Sequence, residues 1–255
     1  PVSDSLSVDL VELGGVNCGE YELSGENSEL LVFHCHGGAL VSCPLSVYHF
    51  YAEIIAAQVG CKVVMPDYRL APEAPYPAAH DDCYNAYRGL LERGADPDKI
   101  VVMGESCGGL LGIGLLLRAR DEGLPMPRCF VSLTGWFDLS VKSSPESGRD
   151  PFLTVEWVRN RGRDYTQGQM ALDDPRLSPA YADLNGLPRL YLQVGDVDTV
   201  REGALELACN AARRGVPVTM EGWPGMIQGL HGLVNANVPE AESAWRAIRR
   251  FVEDV

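Results

Sequence analysis

Short apolar runs rich in β-branched residues alternate along the chain with longer stretches whose apolar positions recur at helical spacing. The strand candidates fall at 30–36, 62–67, 100–105, 129–134, 190–194 and 218–221. Helical patterns occupy 47–59, 78–93, 108–121, 201–214 and 240–253. Leu31-Val32-Phe33 and Ile100-Val101-Val102-Met103 are continuously apolar, as strands covered on both faces must be. Alternation of this kind predicts an α/β fold, with a mainly parallel central sheet flanked by helices in a single domain spanning 1–255. One interval breaks the rhythm. Residues 140–179 are richer in charge, Gly and Pro, with a helical pattern near 155–163, and at the carboxyl ends of the strands such an insertion forms a partial lid.

Composition narrows the picture. The 255 residues suffice for one sizeable α/β core, and 46% hydrophobic with 22% charged residues is a globular balance. Acidic residues outnumber basic ones 35 to 21, a net charge of −14. That excess argues against nucleic acid or an anionic membrane surface as partner, since both need a cationic face. The uncharged stretch 107–117 ends at Arg118, too short to span a bilayer. No basic segment followed by an apolar run opens the chain, so no secretion signal is expected. Eight cysteines stand at 18, 35, 43, 61, 83, 107, 129 and 209, with neither a CxxC pair nor zinc-like Cys/His spacing. Reduced thiols and a cytoplasmic location are the expectation, with no metal site.

Chemistry concentrates in two Gly-rich segments. Gly104-Glu105-Ser106-Cys107-Gly108-Gly109 joins the end of an apolar strand to the start of an apolar helix. Taken alone, the motif reads equally as a capping serine on a Gly-rich helix start. In its strand–turn–helix context it places Ser106 in a strained bend, exposed as a nucleophile, with the Cys107 amide at the helix N-terminus facing developing negative charge. Upstream, His36-Gly37-Gly38-Ala39 follows another strand, and Gly37 and Gly38 are candidate oxyanion donors because backbone without side chains approaches a substrate oxygen closely.

Together with Asp67-Tyr68-Arg69-Leu70-Ala71-Pro72-Glu73, Pro77-Ala78-Ala79, Asp150-Pro151-Phe152-Leu153-Thr154 and Gly186-Leu187-Pro188, these segments resemble the bacterial hormone-sensitive-lipase-like family of α/β-hydrolase carboxylesterases. The resemblance runs from about residue 34 to 242. It implies the α/β-hydrolase fold, Ser106 as nucleophile, an oxyanion hole from Gly37, Gly38 and Cys107, a small-molecule ester substrate of short acyl chain, and no cofactor. It also implies a catalytic acid at Asp198, with Asp196 the competing carboxylate and helix capping the plainer role for either. The family carries a helical lid before the first strands, and the twenty residues ahead of Tyr21 suggest a reduced lid and an open site. A homo-oligomer is left open.

The catalytic histidine breaks the pattern. A triad of this fold runs Ser, acid, His along the chain, and of the five histidines (34, 36, 49, 80 and 231) only His231 follows Asp198. The family, however, places its histidine where this chain has Gln228, within Gly225-Met226-Ile227-Gln228-Gly229-Leu230, and His231 sits three positions later. Three residues of extended chain displace a side chain by roughly 10 Å, whereas a base must come within about 3 Å of the serine hydroxyl. A Gln amide has no accessible pKa with which to take a proton. Two readings follow: an esterase whose base is His231 on a rebuilt loop, or a catalytically impaired or non-hydrolytic relative, with a native or engineered Gln228, that binds a small molecule. The gibberellin receptors, which resemble this family, likewise keep the serine without the histidine. Trp136, Phe137, Trp157, Trp223 and Leu230 are candidate pocket residues, and His34 and His49 are expected to be structural.

Overall fold

The computed structural model describes residues 3–25, 28–144 and 149–255. Eight strands form one sheet: β1 (Leu6–Leu13), β2 (Val16–Leu23), β3 (Leu31–Cys35), β4 (Lys62–Pro66), β5 (Ile100–Glu105), β6 (Cys129–Leu133), β7 (Arg189–Gly195) and β8 (Val218–Trp223). They lie in the order β1-β2-β4-β3-β5-β6-β7-β8, with β2 antiparallel to both its neighbours and every pair from β4 to β8 parallel. Among the described residues six α-helices accompany them: α1 (Leu45–Ile55), α2 (Ala78–Glu92), α3 (Cys107–Asp121), α4 (Val155–Thr166), α5 (Arg201–Arg213) and α6 (Pro239–Glu253).

Alternate side chains of each central strand enter two separate cores. Phe33, Val102 and Phe130 pack beneath α2, α3 and α5. Val32, Val101, Met103 and Val131 pack beneath α1 and α6. Both sides of the pleat are therefore apolar, which explains the unbroken hydrophobic runs of the sequence. Trp245, Ile248 and Val252 recur at helical spacing and seat α6 on the second of these cores.

The β1–β2 hairpin is not among the elements the sequence pattern predicts. Its paired residues run Leu6 to Leu23 through Leu13 to Val16, closed by Gly14-Gly15, both at positive φ. Polar residues on its solvent face dilute the apolar signal: within β1 only Leu6 and Leu13 are buried. The helix expected near 155–163 is α4, capped by the Thr154 hydroxyl accepting from the Trp157 amide at 3.1 Å. Within the interval 140–179, residues 145–148 lie outside those described.

Candidate active site

Parallel strands deliver their carboxyl ends to one edge of the sheet, and the site is built there from the connections after β3, β5, β6, β7 and β8. At the end of β5 the chain turns directly into α3 through Ser106, at φ +52° and ψ −123°. A non-glycine residue is strained in that region, and surrounding backbone fixes the bend. The Ser106 amide donates to Leu133 O at 3.2 Å, and the Ser106 carbonyl accepts from Trp136 N at 2.7 Å and Gly109 N at 2.9 Å. Glycine is obligatory on the facing turn. A Cβ on Gly108 would lie 1.9 Å from Cys35 O, and one on Gly104 would lie 2.4 Å from Gly108 O. The helix N-terminus is thereby pressed against the end of β3, with the Cys107 amide in its first turn, where N–H groups have no intrahelical acceptor.

The loop after β3 runs beside this turn. Gly38, Ala39 and Leu40 have φ of +115°, +54° and +68°, and the Tyr68 hydroxyl braces the loop from below by donating to His36 O at 2.8 Å. The His36 ring stacks on Tyr68 at 4.1 Å between centroids. Part of the Asp67–Glu73 signature is thus scaffold: Tyr68 supports the loop, Asp67 accepts from the Leu45 amide at the start of α1, and Arg69 pairs with Asp82.

A cavity of about 170 Å³ opens between these segments. Ser106, Gly38, Ala39, Glu105 and Gln228 line it together with Trp136, Leu153, Trp157, Val158 and Val200. Gly37 does not reach it. Its amide binds the Glu105 carboxylate, and a Cβ on Gly37 would lie 2.0 Å from Glu105 Oε2. Of the expected oxyanion pair, Gly38 lines the cavity with Ser106, beside Ala39, and Gly37 is not among the lining residues. Trp136 and Trp157 are wall residues as expected. Phe137 packs in the core against Phe130, while Trp223 and Leu230 belong to a cluster beside α6.

Asp198 lies buried behind the wall on the loop between β7 and α5. Its Oδ1 accepts from Val200 N at 2.9 Å, while Oδ2 is buried with no partner. Burial pushes its carboxyl well above the usual range, aided by the nearby Asp150 and opposed by the bond from Val200. Asp196 is engaged elsewhere, holding Gly225 N at 2.6 Å on the partly exposed side of the loop. The loop after β8 is laced to that of Asp198. Val197 N donates to Met226 O, and a Cβ on Gly195 would lie 2.2 Å from the same oxygen.

Gln228 comes off this loop into the cavity, and both of its amide atoms are buried without a hydrogen bond. His231 does not join it. Gly229 turns left-handed at φ +72°, and a short 3₁₀ segment, Leu230–Ala236, carries His231 down towards α6. There the imidazole is fully buried, with Nε2 2.7 Å from Gln193 Oε1, its ring edge-on to Trp245, and its backbone oxygen accepting from Trp245 Nε1. Burial holds its pKa down at about 3, so it stays neutral. The loop is not rebuilt in the way a shifted base requires.

Comparison with known proteins agrees with this geometry. Residues 32–232 match a family model described as the alpha/beta hydrolase fold. A crystal structure of an esterase from the bacterial hormone-sensitive lipase family superposes with a TM-score of 0.93 at 32% identity, covering 100% of this chain and 86% of the other. The chain belongs to the hormone-sensitive-lipase-like carboxylesterases. Among curated relatives, an esterase from Acinetobacter venetianus is 30% identical over 254 residues, 98% of this chain and 83% of its own. An acetyl-hydrolase from Streptomyces hygroscopicus is 33% identical over 206 residues, 78% and 68%. Among the described residues no helix is long and apolar enough to cross a membrane, and no group of His, Cys, Asp or Glu is suited to hold a metal.

Among the lining residues that the sequence does not single out are Ala39 and Glu105. Ala39 occupies the position after the Gly pair, and its positive φ carries no signal in an alanine. Glu105 is the variable residue of the GxSxG pattern, and an acidic side chain directly before the nucleophile is the available clue.

Proposed function

We propose that this chain hydrolyses small, short-chain acyl esters through a Ser106 acyl-enzyme, and that it does so slowly because Gln228 stands where the family has its proton-accepting histidine. In this reading Ser106 Oγ adds to the ester carbonyl while the amides of Gly38, Ala39 and Cys107 hold the oxyanion. The tetrahedral adduct expels the alcohol, and water then releases the acid. No cofactor takes part. The single observation that carries the reading is the strained Ser106 bend opening into the same cavity as the positive-φ loop of Gly38 and Ala39.

The wall of Trp136, Leu153, Trp157, Val158 and Val200 supports an apolar acyl group, and about 170 Å³ supports a small one. The naming of a similar Streptomyces protein as an acetyl-hydrolase fits a short acyl chain. Asp198, which would orient an imidazole, has nothing to orient, in keeping with its orphaned Oδ2. The six cysteines packed in the core support a reducing compartment, for which we retain the cytoplasm.

Hydrolysis of p-nitrophenyl acetate tests the reading. The chain is expected to turn the ester over above background, and Ser106→Ala to remove that excess. Equal rates for the two, with small molecules still binding in the cavity, would favour the non-hydrolytic reading that Gln228 invites.

A further inference from the structure

Losing the histidine leaves the question of where the Ser106 proton goes. Among the described residues that wall the cavity, Glu105 alone carries a side chain that titrates in the accessible pH range. It immediately precedes the nucleophile, at the end of β5, and is buried except for 7% of its surface. Its Oε2 accepts from the Tyr48 hydroxyl of α1 at 2.8 Å, and the carboxylate also takes the Gly37 amide, a reach open only because residue 37 lacks a side chain.

We propose that Glu105 is the proton acceptor this site retains, taking the Ser106 hydroxyl proton directly or through one water held in the shared cavity. The inference rests on the esterase reading above. In the first half-reaction the Oγ–H bond breaks, its proton passes to the Glu105 carboxylate, and a bond forms between Oγ and the carbonyl carbon. The π pair of the carbonyl moves to the oxygen that faces the Gly38, Ala39 and Cys107 amides. As that pair returns, the bond to the leaving oxygen breaks, and the departing alkoxide takes the proton from Glu105; a nitrophenolate leaves without it, and Glu105 then releases that proton to solvent before the second half begins. In the second half, water gives its proton to Glu105 and its oxygen to the acyl carbon. Collapse frees Ser106 Oγ, which recovers the proton. Water is the only co-reactant.

Electrostatics agree with this role. Glu105 faces the Gly37 amide and Tyr48, which act on it, and Tyr51 from α1, Cys107 from α3 and Asp198 from the loop after β7, each of which its charge pushes up; none is cationic. Burial raises the carboxyl to about 7, against the hydrogen bonds from Tyr48 and Gly37 that lower it. A base near the working pH combines an ionised form with useful basicity. Tyr48 stays a donor, because burial and the Glu105 charge push its phenol far up.

The test is a double-mutant comparison with p-nitrophenyl acetate, using the intact chain, Glu105→Gln, Gln228→His and the double variant, each corrected for Ser106→Ala. The intact chain is expected to show kcat/KM rising with pH through an inflection near 7. Glu105→Gln should lower it by about 10²-fold and erase the inflection. In the Gln228→His background the same Glu105→Gln change should cost at least tenfold less, because an imidazole then takes the proton. Equal losses in both backgrounds would reduce Glu105 to a support for the Gly37 loop and overturn the proposal. So would a Glu105→Gln variant that keeps its rate and inflection, or an intact chain without Ser106-dependent turnover beside an active Gln228→His variant. If no variant with Ser106 turns the ester over, the esterase reading itself falls.

Discussion

Asp198 and Gln228 both bury polar side-chain atoms without a partner. A buried carboxylate in this fold is tolerated because an imidazolium shares its charge, and here Oδ2 has no partner while the Gln228 amide makes no bond at all. The cost of that arrangement has a definite sign. The folded carboxyl of Asp198 is raised above its ordinary value, so the native state holds the proton more tightly than the unfolded chain. Its destabilisation is absent near pH 4 and grows as pH rises. Asp198→Asn keeps an oxygen for the Val200 amide and removes the ionisable group. It should stabilise the protein by about 1 kcal/mol or more at pH 8, a Tm gain of about 2–4 °C at this chain length. The gain should shrink towards zero at pH 4, as thermal melts at the two pH values would show. A loss of Tm at pH 8 would mean that Asp198 still has a compensating partner.

At the scale of elements, the sequence displays most of the frame and one misleading histidine. The central parallel strands are legible because both faces of each are buried, though the edge strand β8 has no buried residue. The helices are legible from one buried face, except α3, which is buried throughout its first two turns. The β1–β2 hairpin escapes because its outward positions are polar and only the Gly14-Gly15 turn marks it. Chain order points to His231 as base, and a left-handed Gly229 followed by a 3₁₀ segment sends it instead to Gln193 and Trp245. Ring packing and a buried hydrogen bond decide that placement, and neither is visible in spacing. His231→Ala should therefore cost stability of about 2–4 kcal/mol, from the lost bond and the void against Trp245. Ser106-dependent ester turnover should stay within about threefold of the intact chain, whereas removal of a true general base would cost about 10²-fold or more.

For the molecule as a whole, buried histidines set the response to acid. Burial lowers His34 and His231 to about 3, and His36 and His80 to about 4, all below the ordinary value of 6.5. Below pH 6.5 the unfolded chain binds protons that the folded one refuses, so stability falls as pH drops from 6.5 towards 4. Glu105 and Asp198 act oppositely over part of that range, since their folded forms retain protons, but two carboxyls do not cancel four imidazoles. Tm is expected to climb from pH 4 to about 6.5 and then level, and a melt series across that interval would reveal a flat or falling trend if these histidines were solvated.

The proposed function is that of an ester hydrolase slowed by Gln228 at the position of the family's histidine. Steady-state hydrolysis of p-nitrophenyl acetate by the intact chain and by Gln228→His, measured side by side, tests that description most directly. In the proposed reading, an imidazole at position 228 should raise kcat/KM by about 10²–10⁴-fold. Equal rates in the two proteins would contradict it, because Gln228 would then not be what limits the site.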